Sequence, residues 1–221
     1  MKIFIFFITL LISFIGNAQD VTNYKFDYYT FYAIKKDSNT TVIYRYIIGN
    51  SKDVSYSLYI DLTSDNFVRD MFLFDRGKRK QYQFDVENKR LESLKNFNDL
   101  TKSYHLLVNT FDREIVKKNY IGVDYKTLND EEIVTINVYE NRRKKKIKHQ
   151  AIYYTQKYHF VNNQFYISDI VFANKIDLNS IKTQGVVTKT YHHNKNSKEK
   201  IMTHELLDIN QLDFKLELKN N

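Results

Sequence analysis

Strict alternation of apolar and polar residues is the feature that most constrains how this chain can fold. In residues 212–218 every second residue is Leu or Phe, and the residues between them are charged. Residues 54–62 repeat the alternation, and residues 134–138 show it over a shorter length. Successive side chains of a β-strand point to opposite faces. The alternation therefore predicts strands that place one face on a core and the other face in water.

Short polar segments separate the predicted strands. The chain has no Pro and only five Gly, so its turns depend on Asn, Asp, Lys and Ser, which tolerate left-handed backbone or bond to their own chain. Consecutive strands joined by such turns form an antiparallel meander. The predicted turns are residues 50–53, 87–90, 140–143, 162–163 and 194–198.

The predicted fold class is therefore mainly β. An antiparallel meander can form a curved sheet, a half-barrel or a sandwich, and the sequence leaves these three architectures open. At most one or two short helices are expected. The candidates are residues 98–113, where Leu106 and Leu107 supply apolar side chains, and residues 177–182.

The first 18 residues have the features of a cleavable signal peptide. Lys2 provides the positive start, residues 3–15 form an apolar run, and Gly16 and Ala18 place small residues at the cleavage site. The run has 13 residues, whereas a membrane-spanning helix needs about 20, so an uncleaved anchor is the less favoured alternative. We expect one exported β-rich domain over residues 19–221, periplasmic or secreted, with no transmembrane helix after cleavage.

The chain contains no Cys. This excludes a lipid-modified cysteine as an anchor, and it excludes disulfide bonds and cysteine-ligated metals. The length of the exported part is sufficient for one domain to bury a core of its own. The predicted domain must therefore be stabilised by that core alone.

Basic residues outnumber acidic ones, and six of them lie close together. The formal net charge is +8 at pH 7, which favours anionic neighbours, although nucleic acid is not an expected partner of an exported protein. The basic segment is either a contact with anionic lipid or glycan, or a solvated turn whose lysines prevent pairing at a strand edge. The predicted contact residues are Arg142, Arg143, Lys144, Lys145, Lys146 and Lys148.

Three histidines near the C-terminus suggest a metal site. His192 and His193 are adjacent on a predicted strand, so they point to opposite faces. A turn centred on residues 196–197 sets His204 opposite Lys189. Three convergent ligands are therefore not expected, and neither a metal nor a cofactor is predicted.

No pattern of catalytic residues is present. The sequence has no Ser in a nucleophile elbow, no Gly-rich loop after a strand and no His-Glu-x-x-His. Asp130, Glu131 and Glu132 precede a predicted strand, but nothing in the sequence pairs two carboxylates across a cleft. No catalytic residue is assigned, and the question of enzymatic activity stays open.

Tyrosines are frequent in the first third of the chain. They either line a groove for carbohydrate or lipid, or they pack between strands with their hydroxyl groups at the rim, which is the more common arrangement. The residues are Tyr28, Tyr29, Tyr32, Tyr44, Tyr46, Tyr56 and Tyr59.

Three functions remain open at this point. Residues 186–218 read as strand, polar turn, strand and alternating last strand, and this order resembles the end of half-barrel lipoprotein-carrier domains of the LolA type, which implies a similar architecture there. The favoured function is a non-enzymatic binding or interaction module for an apolar or anionic envelope component, with lipid, glycan or another envelope protein as partner. The alternatives are an integral outer-membrane β-barrel of about eight strands and a hydrolase of envelope polysaccharide.

Overall fold

β-Strands account for nearly all regular secondary structure in the computed structural model, and no α-helix occurs in the residues that it describes. Those residues are 21–35, 42–86, 89–92, 94, 101–107, 120–144, 146–159, 185–194 and 201–219. The strands in these ranges are β1 (Val21–Ile34), β2 (Ile43–Gly49), β3 (Tyr56–Leu62), β4 (Val68–Asp75), β5 (Lys80–Phe84), β6 (Tyr104–Leu107), β7 (Tyr120–Leu128), β8 (Glu131–Tyr139), β9 (Ile147–Gln156), β10 (Val186–Asn194) and β11 (Ile201–Lys219).

The strands form one antiparallel sheet, in the order β6-β5-β4-β3-β2-β1-β11-β10-β9-β8-β7. It consists of two meanders, β1 to β6 and β7 to β11, so the predicted fold class is confirmed. All described strands belong to this sheet rather than to the two sheets of a sandwich. The predicted hairpins between β2 and β3 and between β8 and β9 are present, and β10 pairs with β11 as expected.

The chain divides into two compact units. In the smaller one the structure describes residues 21–25 and 214–219. The Leu and Phe side chains of its last strand are buried, whereas the charged residues between them are exposed, as the alternation predicts. The larger unit, Phe26–Asp213, contains β2 to β10 and most of β1 and β11.

Strand β3 is buried on both faces. All seven residues of Tyr56–Leu62 are buried, including Ser57 and Asp61 on the side that the alternation assigns to water. The expectation of a water-exposed face is therefore wrong for this strand. The polar residues of that side have partners instead, because Asp61 binds Arg45 of β2 and Ser57 accepts a hydrogen bond from Arg76.

The predicted hairpin at residues 87–90 is wrong. β5 pairs with β6, so that Phe84 lies opposite Tyr104. Leu91 is buried, and its backbone N–H donates to the carbonyl of Asn66 at 2.9 Å. The segment after β5 is therefore held against the connection between β3 and β4 instead of adding a strand.

The predicted helix over residues 98–113 is contradicted where the structure describes this segment. Tyr104–Leu107 forms β6, and the two leucines that suggested a helix point to opposite faces of this strand. The rest of the segment lies outside the described residues. The predicted turns at residues 162–163 and 195–198 and the candidate helix at residues 177–182 also lie outside them.

Polar residues provide the left-handed backbone that several turns require. L-Residues seldom adopt positive φ, and Asn and Asp tolerate it better than most. This agrees with the expectation that a chain with few Gly and no Pro builds its turns from polar residues. The described non-Gly residues with φ between 49° and 66° are Asn66, Arg79, Asn129, Asp130 and Lys144.

Gly185 is a position where a larger residue should not fit. Its φ is 140°, and a Cβ atom there would lie 2.5 Å from the backbone oxygen of Gln156. Because this contact involves backbone, we expect Gly185→Ala to lower the free energy of unfolding by about 2–4 kcal/mol, measured by urea denaturation. Gly77→Ala is the control, since a Cβ there meets neighbours only at 3.4 Å, and it should change stability by less than about 0.5 kcal/mol. Equal losses of stability in both variants would contradict the steric role of Gly185.

Candidate functional site

Side chains of several strands meet on one face of the sheet in the larger unit, which we call the histidine face. The pairing of β1, β2 and β3 places Tyr32, Arg45 and Asp61 in one row. The ring of His204 lies 6.5 Å from the ring of Tyr32 and 6.4 Å from the ring of His192. The histidine face therefore combines two imidazoles, a guanidinium, a carboxylate and a phenol.

His192 and His204 come together because of a β-bulge. The register between β10 and β11 shifts between Thr190 and Tyr191, so that His204 lies opposite Thr190 and not opposite Lys189. The predicted register is wrong by one residue at His204, and the shift places both histidines on one face. In the part of the chain that the structure describes, no group of three or more His, Asp or Glu side chains could hold a metal ion.

Burial controls the protonation of His204. Desolvation, with smaller contributions from His192 and Arg45, lowers the pKa of His204 to about 3. The imidazole is therefore neutral at pH 7, and its Nδ1 lies 3.0 Å from the Thr203 hydroxyl oxygen. At neutral pH the His204 imidazole therefore contributes hydrogen-bonding nitrogens to the histidine face but no positive charge.

Arg45 is held by two hydrogen bonds to Asp61. Its Nε and one terminal nitrogen donate to the two carboxylate oxygens, the second bond at 2.7 Å. The guanidinium also lies 5.5 Å from the centre of the Tyr59 ring. Asp61 is only 7% exposed, and a carboxylate buried to this degree needs such a partner. The pair is therefore a structural element of the histidine face and not a free cation.

The tyrosines of the first third do not line one common groove. Alternation along β1 sends neighbouring side chains to opposite faces, and the set divides accordingly. On the face opposite the histidine face, Phe31 stacks with Tyr46 at 4.3 Å and with Tyr44 at 5.8 Å between ring centres. The buried members are Tyr28, Tyr32, Tyr56 and Tyr59, and the half-buried members are Tyr29, Tyr44 and Tyr46.

Two buried tyrosines of β1 differ in their hydrogen bonding. The Tyr32 hydroxyl donates to the carbonyl of Val187 at 2.8 Å. Tyr28 is 1% exposed, and its hydroxyl has no hydrogen-bond partner among the described residues. Burial raises the pKa of Tyr28 well above its ordinary value, Tyr32 and Asp27 add to the increase, and Arg76 opposes it. A buried hydroxyl without a partner costs about 1–3 kcal/mol, so it calls for an explanation.

The predicted residues for contact with an anionic surface, apart from Lys145, lie within residues 140–148, which join β8 to β9 and include the first two residues of β9. We call this segment the basic turn. Lys146 lies 3.8 Å from Glu140. The other cations that the structure describes in this turn have no carboxylate within 4 Å among the described residues, and Lys145 itself is outside them. The described cations, all exposed, are Arg142, Arg143, Lys144, Lys146 and Lys148.

Backbone bonds and an aromatic ring hold the basic turn in place. The N–H of Glu140 donates to the carbonyl of Lys146 at 3.0 Å. The ring of Tyr139 covers Gly122 of β7, where a Cβ atom would lie 3.1 Å from the ring. Lys144 in turn lies over this ring, 5.9 Å from its centre. Tyr139 therefore links the basic turn to the neighbouring strand.

A pocket of about 440 Å³ lies at the other end of β8 from the basic turn. Asp130 is in the turn before β8, and Glu131 and Glu132 begin the strand, so the predicted loop is only partly a loop. The lining contains no histidine. The hydrolase hypothesis stays a prediction. The lining residues are Thr127, Asn129, Asp130, Glu131, Glu132, Thr155, Gln156 and Lys157.

Comparison with known proteins gives one similar structure. No family model matches the chain, and no curated protein matches it. A LolA superfamily protein from Nitrosomonas europaea is similar over 89% of this chain and 88% of that chain, with 10% sequence identity and a TM-score of 0.33. Within the ranges that the structure describes, no helix is long and apolar enough to cross a membrane.

The residues of the histidine face carried little signal in the sequence. Arg45 and Asp61 occupy positions of predicted strands where a polar residue is expected to face water. Arg76 opens the turn between β4 and β5, whose Arg and Lys residues are typical of any solvated turn. These residues could have been predicted to lie together only if the strand register had been known. The register depends on the length of each turn and on bulges.

The hydroxyl groups of Tyr28 and Tyr32 allow a matched comparison. We expect Tyr32→Phe to lower the free energy of unfolding by about 1–2 kcal/mol, because it removes a buried hydrogen bond to Val187. Tyr28→Phe should leave stability unchanged or raise it, because it removes a hydroxyl that has no partner among the described residues. Urea denaturation of both variants measures the difference. A similar loss of stability in Tyr28→Phe would show that the Tyr28 hydroxyl forms a stabilising hydrogen bond, contrary to this description.

His204 should make stability depend on pH. The unfolded chain binds a proton at this residue near pH 6.5, whereas the folded chain does so only near pH 3. The unfolded state therefore binds more protons between these values, and stability is lost as the pH falls, by up to about 1.4 kcal/mol per pH unit. His204→Gln should reduce the slope of unfolding free energy between pH 6 and pH 4. Equal slopes in wild type and His204→Gln would be inconsistent with a buried neutral imidazole.

Proposed function

We propose that this chain is an exported, non-enzymatic binding module that docks on an anionic lipid surface through the basic turn. The main support is the concentration of five exposed cations on one turn. Apart from Lys146, these cations have no carboxylate within 4 Å in the described part of the chain. Their charge is therefore available to an external anion, and little internal pairing has to be broken.

An exposed apolar residue favours lipid over glycan as the surface. Ile147 is 38% exposed and lies opposite Tyr139, whose ring Lys144 covers. Lys148, the next residue of β9, points to the other face. At a bilayer, cations bind the headgroups while an apolar side chain among them reaches the acyl region. A polysaccharide would use the cations but would offer nothing to Ile147.

The expected strength of this contact is modest. Each Lys or Arg near an anionic leaflet contributes about 1 kcal/mol, so five contribute on the order of 5 kcal/mol. This corresponds to a Kd on the order of 0.1–1 mM for a single molecule. The contact should be reversible and should weaken as salt screens it over a Debye length of about 8–10 Å.

Export is part of the same proposal. Residues 1–18 carry the features of a signal peptide, and residues 19–221 would form one domain in the periplasm or outside the cell. In these compartments a free basic protein meets anionic envelope lipid. Glycan and envelope protein are the competing partners.

Vesicle flotation tests the proposal. We expect the protein to float with phosphatidylglycerol vesicles and not with phosphatidylcholine vesicles. Replacement of Arg142, Arg143, Lys146 and Lys148 by Gln should remove about 4 kcal/mol, on the order of a thousandfold in Kd. Lys144 is retained because it packs on Tyr139.

A charge-matched variant is the control. Lys52, Lys126, Lys189 and Lys215 are exposed elsewhere on the chain, and their replacement by Gln removes the same charge. This variant should float nearly as the wild type does. Equal loss in both variants would show a general charge effect and contradict a role for the basic turn. Binding to lipopolysaccharide glycan without binding to phosphatidylglycerol would contradict the choice of lipid.

A further inference from the structure

A second group of polar side chains, separate from the basic turn, has unused hydrogen-bonding capacity. Arg76 directly follows β4 and opens the turn to β5. Its guanidinium donates to the Ser57 hydroxyl oxygen at 3.2 Å and to the carbonyl of Val54 at 3.4 Å. Its Nε is buried without a hydrogen-bond partner, and none of the described carboxylates forms a salt bridge with it. The charge of Arg76 is therefore not neutralised within the described chain.

Tyr28 lies close to Arg76 on the histidine face. Tyr28 lies opposite Gly49 of β2. Ile48, the residue before Gly49, lies opposite Leu58, and Ser57 is the next residue of β3 on that side. Gly49 has no side chain, so β2 places none directly beside Tyr28. Tyr28 is 1% exposed with a hydroxyl that has no partner among the described residues, and Arg76 is near enough to act on it electrostatically.

The nearby carboxylates are engaged elsewhere. Asp27 accepts hydrogen bonds from the backbone N–H and the hydroxyl of Ser51. Asp75 accepts one from the backbone N–H of Lys78 at 2.8 Å. Neither carboxylate forms a salt bridge with Arg76, so the anion that would complement this guanidinium has to come from outside these residues.

We propose that Arg76, Tyr28 and Ser57 form a binding site for an oxyanion, either a carboxylate or a phosphate group. The Nε–H of Arg76 and the hydroxyl of Tyr28 are donors without acceptors among the described residues. The Ser57 hydroxyl accepts from Arg76 and keeps its own proton to donate. Three donors and one positive charge suit the oxygens of an anion, whereas a neutral carbonyl would leave the charge of Arg76 unbalanced.

The oxyanion has two sources that the surroundings allow. Tyr28 packs with Val186 in a small apolar cluster, against which Tyr158, Leu206 and Ile209 also pack. The acyl chain of a carboxylate would meet these side chains. A free phosphate would use only the polar groups.

Titration followed by NMR tests this site. The purified protein, labelled with ¹⁵N, is titrated with inorganic phosphate, acetate and dodecanoate, and the Arg76 Nε–H signal is followed. We expect a saturable shift of this signal with phosphate or with dodecanoate. Saturation by phosphate identifies a phosphate site, and saturation by dodecanoate at much lower concentration than acetate identifies an acyl carboxylate. The absence of a saturable shift with all three probes would overturn the proposal.

Matched variants show whether the named donors are responsible. Arg76→Gln and the nearly isosteric Tyr28→Phe should each weaken oxyanion binding by about tenfold or more. Arg79→Gln removes an exposed charge from the same turn and should change it by less than about twofold. If Arg79→Gln and Arg76→Gln weaken oxyanion binding equally, the binding is general electrostatic attraction to this turn, and the proposed site is overturned. If Arg76→Gln does not fold, the test depends on Tyr28→Phe. Unchanged oxyanion binding by this variant would also overturn the proposed site.

This site does not rest on the lipid-docking proposal. The variant of the basic turn with four Gln substitutions should bind the oxyanion as the wild type does. Conversely, Tyr28→Phe should float with vesicles as the wild type does. The two proposals can therefore fail separately.

Discussion

The burial of both faces of β3 is the constraint on which the rest of the structure depends. A strand whose polar side is removed from water needs a partner for each polar side chain on that side. Asp61 therefore requires Arg45, and Ser57 receives Arg76, so two guanidinium groups are drawn onto the histidine face. Arg45 is neutralised by a carboxylate, whereas Arg76 has no carboxylate within 4 Å among the described residues. This difference separates a structural ion pair from a candidate binding site.

Alternation in the sequence predicted the positions of strands well, but it predicted less well which faces of those strands are buried. It was correct for the end of β11. In β8 it was correct for the buried apolar side, but Asn137 on the side assigned to water is buried as well. It failed for β3, because alternation reports the polarity of side chains and not whether another part of the chain covers them. The helix predicted around Leu106 and Leu107 was wrong, because two adjacent apolar residues in a four-residue strand show neither the period of a helix nor that of a strand.

The candidate sites differ in how far the sequence could predict them. The basic turn is local, so its cations were found from their spacing alone. A turn confined to residues 50–53 would have set Arg45 opposite Leu58, but the turn extends to residue 55 and sets it opposite Asp61. The bulge after Thr190 similarly turns His204 to the other face. Register errors of an odd number of residues reverse every side chain beyond them, and neither turn length nor bulges follow from composition.

The pairing of β1 with β11 joins strands from the two ends of the chain. Among the described strands, all other neighbours in the sheet are consecutive, so each pair can form as soon as both of its strands are available. The edge of β1 that faces β11 must wait for residues 201–219, and an unpaired strand edge can meanwhile pair with other chains. The protein is therefore most open to aggregation before residues 201–219 have paired with β1. Strand β11 thereby protects β1.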